Sequence, residues 1–294
     1  MSAEHLSGIA PLMERYDVFV VDLWGTLHDG IKPYPGAIGA MKRLKKAGKR
    51  VALLSNAPRR AVLAEKTLVE MGFGDLYALL LTSGESVHAS LRDRPDEWHR
   101  QLSGKCWHLG PPRDRSIFEG LDILVTGTPE GAGFCVATGI DLNEETLEDY
   151  RPMLDRAREL ELPMVCANPD IKVPVGDQIV LCAGAFAEYY REIGGDVFWH
   201  GKPYPAIYEE LFADIEALGG GSVDRKRTIA IGDGLSTDIW GARRAGIASA
   251  LVLCGVHRPR VKTNWLGRPE QESLDVLFAT APVPPDFTLP SLKW

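Results

Sequence analysis

The 294-residue sequence has no excess of positive charge: 33 Lys and Arg stand against 40 Asp and Glu, for a net charge of −7. This argues against a protein that grips nucleic acid by neutralising its phosphates. No run of about 18 apolar residues occurs, so no membrane span is expected. The opening stretch MSAEHLSGIAPLMERYD lacks a basic segment followed by an apolar one and does not read as a secretory signal. Cysteine is scarce. Cys106, Cys135, Cys166, Cys182 and Cys254 are odd in number and none forms a CxxC pair. That pattern predicts reduced, mostly buried thiols in a cytoplasmic protein and offers no zinc site. Internal repeats are absent too. What remains is ordinary for a globular protein, 45% hydrophobic and 25% charged, and long enough for one large domain or two moderate ones.

The first strong pattern is YDVFVVD, residues 16–22, a β-branched apolar run ending in a carboxylate. Such a run predicts a strand buried on both faces, as in a parallel sheet. A Gly-rich turn follows, then a helix from Pro35 to Gly48, a strand at 50–56 and a helix at about 58–72. The same alternation returns late in the chain. Residues 181–194 predict a helix, DVFWHGKP a short strand, 205–218 a helix, RTIAIGD a strand, 237–246 a helix and SALVLCG a closing strand. Alternation of this kind implies right-handed crossovers and a parallel sheet. Between the halves, residues 85–180 differ in texture, with short strand candidates KCWHLG, LDILVTG, GFCVATG and PMVCANP and one helix at about 144–160. They predict a small α/β insertion. Beyond residue 256 the chain offers one amphipathic helix at about 269–279. It ends in PVPPDFTLPSLKW, whose prolines predict a surface tail pinned by Phe287 and Trp294 rather than a central strand.

Ligands of open α/β sheets bind at the carboxyl ends of the strands. There the sequence places Asp22 before Trp24-Gly25-Thr26, then Ser55 and Asn56, then Lys202, then Asp233 with Asp238 five positions on. Each residue also has a plain structural reading. Asp22 and Ser55-Asn56 suit helix N-caps, Asp233-Gly234 suits a turn, Asp238 suits a first helical turn, and Lys202 suits solvent beside a proline. Taken jointly, the set fits phosphoryl transfer. A carboxylate such as Asp22 can attack phosphorus and form an aspartyl-phosphate. Mg²⁺ held by Asp22 and Asp233, with Asp238 in support, would let the two anions approach. Ser55, Asn56 and the backbone N–H groups of the Gly25–Thr26 turn would bind phosphoryl oxygens, and Lys202 would add a neutralising charge.

The strings DLWGTL, LLSNAP, GKP and GDGLSTD, in that order, resemble the four motifs of the haloacid-dehalogenase-like (HAD) hydrolase superfamily. GKPYPAIYEEL and GDGLSTDIWGA are similar to those of its class IIA phosphatases, which act on nucleotides, sugar phosphates and related small metabolites. The resemblance covers roughly residues 16–256. It implies a three-layer Rossmann-like core with a parallel sheet, residues 1–84 and 181–294, and an inserted α/β cap over 85–180, hinged near Ser83-Gly84 and near Gly176–Gly184. It implies that Asp22 is the nucleophile and a Mg²⁺ ligand, with the Trp24 carbonyl, Asp233 and Asp238 completing the metal site, and that Ser55 and Lys202 bind the phosphoryl group. ANPDIKVPVGDQ, residues 167–178, is similar to the substrate loop of such caps, which makes Asn168, Asp170 and Lys172 selectivity candidates, although a Pro-rich turn reads as well. The expected partner is a small phosphorylated metabolite, with no nucleic acid and no membrane, and the expected state a monomer or homodimer.

One position departs from that family. Its phosphatases carry a second Asp two residues after the nucleophile, and here that residue is Trp24, whose indole transfers no proton at neutral pH. Positioned acid–base catalysis is worth about 10²–10⁴-fold. Three readings follow: His28 or Asp29 serves instead; the leaving group needs little protonation; or the protein binds a phosphorylated ligand without fast turnover. Metal-free dehalogenation is a further comparison, but Asp233 and Asp238 would then repel each other with no cation between them.

Overall fold

The computed structural model describes residues 3–141, 144–175, 178–264 and 268–294. The chain divides into two compact units: one formed by the residues up to Ser55, Glu65–Leu81 and Lys202 onward, the other by Asn56–Ala64 and Thr82–Gly201.

The first unit is built on a seven-stranded sheet. Its order across the sheet is Glu4–His5, Phe287–Leu289, Ala248–Val252, Thr228–Gly232, Val18–Val21, Arg50–Ser55 and Leu79–Thr82. The pairs around the centre are parallel, with Thr228 level with Val18 and Ile231 level with Val21. Successive side chains of a strand point to opposite faces, and here both sets are apolar and buried. Val18, Val20, Ala52, Leu54 and Ala230 pack with Ile207, Tyr208, Leu211 and Ala242 of the helices Pro205–Ala217 and Trp240–Ala245. The alternate residues Phe19, Val21, Val51 and Leu53 are buried on the other face, and the helix Ala37–Lys46 lies against Arg50–Ser55. Helix, sheet and helix thus make the three layers of an α/β fold.

The second unit has its own parallel sheet in the order Val197–Trp199, Met164–Cys166, Phe134–Ala137, Lys105–Leu109, Leu124–Thr126. One face is covered by the helices Leu147–Glu159 and Ala183–Glu192 through Leu154, Ala157, Phe186 and Tyr190. The other is covered by Val87 and Leu91 of Ser83–Asp93 together with Ile117 and Phe118. An antiparallel hairpin, Lys172–Val175 with Gln178–Leu181, lies apart from that sheet.

Three expectations are corrected. The sequence reading assigned residues from 181 onward to the core, yet the second unit runs to Gly201. Val197–Trp199 pairs with Met164–Cys166, and Phe186 and Tyr190 pack beside Trp107 and Met164, so this stretch buries its apolar face in the insertion. One crossing between the units falls at Leu81–Thr82, beside the expected Ser83-Gly84, but the return crossing lies at Gly201–Lys202 and not near Gly184, which packs inside the second unit, where a Cβ would meet Pro169 O at 2.3 Å; Gly176 lies outside the described residues.

The Pro-rich tail is not a surface strap either. Phe287–Leu289, free of proline, pairs with Ala248–Val252 on one side and Glu4–His5 on the other, and all three residues are buried. Asp286 fixes the start by accepting hydrogen bonds from the Ser249 N–H (2.9 Å) and hydroxyl (3.1 Å). The prolines fall outside the ladder, where a missing N–H costs nothing. Phe287→Ala is therefore expected to destabilise the protein by about 3–5 kcal/mol in denaturant unfolding. Trp294, 41% exposed beneath the Arg43 guanidinium, should lose under about 1 kcal/mol as Ala.

Candidate active site

The two central strands of the seven-stranded sheet end in the two carboxylates that matter most. Val18–Val21 delivers Asp22, whose N–H extends the ladder by donating to Ile231 O at 2.9 Å. Its neighbour Thr228–Gly232 delivers Asp233 one residue further on. Residues 211 positions apart in sequence are thereby brought to the same edge by strand register alone.

Asp238 arrives by a different device. Residues Leu235–Ile239 wind one wide π-turn, closed by Ile239 N–H donating to Gly234 O at 3.1 Å. Such turns recur at functional sites because one extra residue re-aims a side chain. Here Asp238 points back, with Oδ2 accepting from Gly234 N–H at 2.9 Å and Oδ1 facing Lys202. The Lys202 ammonium donates to Asp22 Oδ1 (2.6 Å), Asp238 Oδ1 (2.7 Å) and the Leu54 carbonyl (2.9 Å). Burial alone would push this lysine's pKa down. The charges of Asp22 and Asp238 more than reverse that and raise it, so the ammonium keeps its proton.

One oxygen from each of Asp22, Asp233 and Asp238 lies within 4.8 Å of the others. Three carboxyl groups and one ammonium share a largely buried site. Burial, followed by the Asp22 and Asp238 charges, pushes the Asp233 pKa well above the ordinary carboxylate value. All donors are hard oxygens, so the set fits a hard divalent cation and supplies the charge such an ion would balance. Glycine makes the crowding possible. Gly25 has φ +85°, and a Cβ there would come within 1.9 Å of Asp233 Oδ2; a Cβ at Gly255 would come within 2.1 Å of the same atom. Asp233 Oδ2 in turn accepts from Val256 N–H at 2.7 Å.

Other expected residues divide. Ser55 ends its strand buried at this edge. Asn56 belongs to the second unit, where its amide donates to Asp170 Oδ1 at 3.1 Å, so two residues predicted for different tasks hold each other. Asn168 Oδ1 accepts from Asp170 N–H at 3.0 Å, the turn that the sequence reading set beside a substrate role. Lys172 is exposed on the hairpin, and residues 176 and 177 of the expected substrate loop lie outside the described residues. The Gly25 and Thr26 amides are corrected. They donate within the turn, to His28 O at 2.9 Å and Leu23 O at 3.3 Å, rather than standing ready for a phosphoryl group. Gly255 was missed, although a glycine closing the apolar run SALVLC was a visible signal of close backbone approach.

Comparison with known proteins agrees with this geometry. Residues 19–124 match a family described as haloacid dehalogenase-like hydrolase, and residues 199–293 match one described as HAD-hydrolase-like. A solved haloacid dehalogenase-like hydrolase from Brucella suis 1330 is 32% identical, with 98% of this chain and 99% of that chain aligned at a TM-score of 0.81. This chain belongs to the haloacid-dehalogenase-like hydrolases. Among curated relatives, 4-nitrophenylphosphatase of Schizosaccharomyces pombe is 25% identical over 95% of this chain and 93% of that protein. Human chronophin is 28% identical over 87% and 88% respectively. Within the HAD fold, Gly25→Ala should abolish hydrolase activity by displacing Asp233, whereas Gly221→Ala, at φ +82° with nothing within 4 Å, should cost only about 1 kcal/mol and leave activity intact. Equal activity in the two variants would contradict the crowding argument.

Proposed function

We propose that the chain is a Mg²⁺-dependent phosphatase that hydrolyses a small phosphorylated metabolite through an aspartyl-phosphate on Asp22. The observation that carries this reading is the Lys202 ammonium bridging Asp22 and Asp238, with Asp233 completing the acidic cluster. Phosphatases among the relatives support it as well.

Each residue has a role in this reading. Asp22 Oδ1 sits in the field of an ammonium, which orients the carboxylate and offsets the repulsion it meets when an anionic phosphoryl group approaches. Ser55 holds phosphoryl oxygens, and Lys202, whose three N–H groups point to Asp22, Asp238 and the Leu54 carbonyl, adds the neutralising charge. Asp22, Asp233 and the Trp24 carbonyl would hold Mg²⁺, with Asp238 positioning Lys202 and supporting the metal. The ion supplies charge neutralisation for the transferring group. Selection of the substrate's remainder falls to the second unit, where Lys172 is the exposed candidate. Trp24 keeps one other reading alive, a protein that binds a phosphorylated ligand without releasing phosphate.

Release of phosphate from 4-nitrophenyl phosphate and acetyl phosphate decides between them. Turnover with Mg²⁺ should fall by at least about 10³-fold on chelation and again in Asp22→Asn. Activity that survives both defeats the phosphatase mechanism, and Mg²⁺-dependent ligand binding with no phosphate release supports the binding protein.

A further inference from the structure

We propose that the first unit holds an anion subsite beside the carboxylate cluster, formed by the Tyr34 hydroxyl and the Arg258 guanidinium, which takes a carboxylate or second phosphate carried by the substrate. This inference rests on the phosphatase reading above and narrows its substrate class to phosphate esters that bear a second, separate anionic group. It adds to the selection made by the second unit.

Two loops of the first unit meet over Asp233, one running from Gly25 to Tyr34 and the other from Cys254 to Arg260. A Cβ at Gly25 would come within 1.9 Å of Asp233 Oδ2, and one at Gly255 within 2.1 Å of the same atom. The Cys254 thiol joins the loops by donating to Gly25 O at 3.5 Å.

Each loop is also closed on itself. Tyr34 N–H donates to Leu27 O at 2.9 Å and Ala37 N–H donates to Tyr34 O at 3.1 Å, which fixes Tyr34 just before the helix Ala37–Lys46. In the other loop Val256 N–H donates to Asp233 Oδ2 at 2.7 Å, and His257 Nε2 accepts from Leu235 N–H at 3.4 Å. Arg258 N–H then turns back to Gly255 O at 3.0 Å. The backbone at positions 34 and 258 is therefore set by the same structure that sets Asp233.

Their side chains are not used by the fold. Arg260 donates to the Thr280 hydroxyl at 3.3 Å. Asp29 Oδ1 accepts the Ile31 and Lys32 N–H groups at 3.0 and 2.8 Å, and the Lys32 charge acts on the same carboxylate. Tyr34 is half-buried and Arg258 exposed, and among the described residues neither side chain makes a hydrogen bond or ion pair. The two lie near each other, since the Arg258 charge acts on both the Tyr34 hydroxyl and the Cys254 thiol.

The chemistry of the pair names its ligand. A guanidinium presents parallel N–H groups that match two oxygens of a carboxylate or phosphate, and a phenol adds one O–H donor. A neutral hydroxyl or an amide would leave the Arg258 charge unmatched. Asp233 and Asp29 also act on Tyr34, with the opposite sign, so the anion is held on the Arg258 side of the phenol.

The test compares alkyl phosphates with carboxyalkyl phosphates of increasing chain length in the Mg²⁺-loaded wild-type protein, reading kcat and KM separately. At one chain length or more, the carboxylate should raise kcat/KM about 10- to 100-fold over the alkyl ester of equal length, chiefly through KM. Arg258→Gln should abolish that preference, Arg258→Lys should keep part of it, and Tyr34→Phe should lower it about 3- to 10-fold. A wild-type protein with no preference at any length overturns the inference. So does an Arg258→Gln protein in which the preference persists or in which both substrate classes lose alike. Free acetate that alters turnover of the alkyl esters through Arg258, with no gain from the attached carboxylate, also overturns it, because the site then serves a separate anion. Calorimetric binding of the same esters keeps the two readings apart. A chain that releases no phosphate yet binds the carboxyalkyl esters more tightly through Arg258 loses the phosphatase reading and keeps the subsite. One that hydrolyses both classes alike keeps that reading and loses the subsite.

Discussion

A buried ammonium between two carboxylates organises the strand-end edge of the first unit. Lys202 reaches Asp22 and Asp238 at 2.6 and 2.7 Å inside a site that excludes most solvent. Bringing such charges together costs several kcal/mol of desolvation per ion, repaid only by close geometry and full hydrogen bonding. The fold supplies both. Parallel register sets Asp22 beside the end of Thr228–Gly232, the π-turn folds Asp238 back, and the Leu54 carbonyl takes the third ammonium bond. Asp233 completes the cluster, its carboxyl held in place by the Val256 amide and by the space that Gly25 and Gly255 leave. The cluster's hard oxygen donors are of the kind that suit a divalent cation, as in the proposed mechanism.

An indole stands two residues after Asp22, where the proposed mechanism separates two tasks. Stabilising charge on the transferring group and protonating the leaving group are separate tasks, worth separate factors in rate. The cluster of Asp22, Lys202 and Asp233 addresses the first. Close to Trp24, His28 and Asp29 both turn acceptor atoms toward the loop's own amides at Gly30, Ile31 and Lys32.

Much of this was legible in the sequence because strand ends are. YDVFVVD and RTIAIGD announce buried strands, and their terminal carboxylates must emerge at the ligand edge of a parallel sheet. Lys202 was legible for a different reason, its place in an ordered set of motifs, since nothing in a lysine beside a proline reveals burial. The misreadings share one cause. Local composition does not disclose long-range pairing. FTL between prolines looks like surface tail until Ala248–Val252 is found alongside it, and VFW looks like a core strand until Met164–Cys166 claims it. Turn hydrogen bonds were hidden similarly: the Gly25 and Thr26 amides are spent on His28 and Leu23, a matter of backbone path rather than residue type.

The central claim is that Asp22 and Asp233 meet to hold one divalent ion. Crystals grown with Mn²⁺ in place of Mg²⁺ test it through anomalous scattering. The account predicts a single strong peak bonded to oxygens of Asp22 and Asp233, at about 2.0–2.2 Å, that disappears in Asp233→Asn. A protein that hydrolyses phosphate esters with Mn²⁺ present but shows no peak between these carboxylates would contradict it.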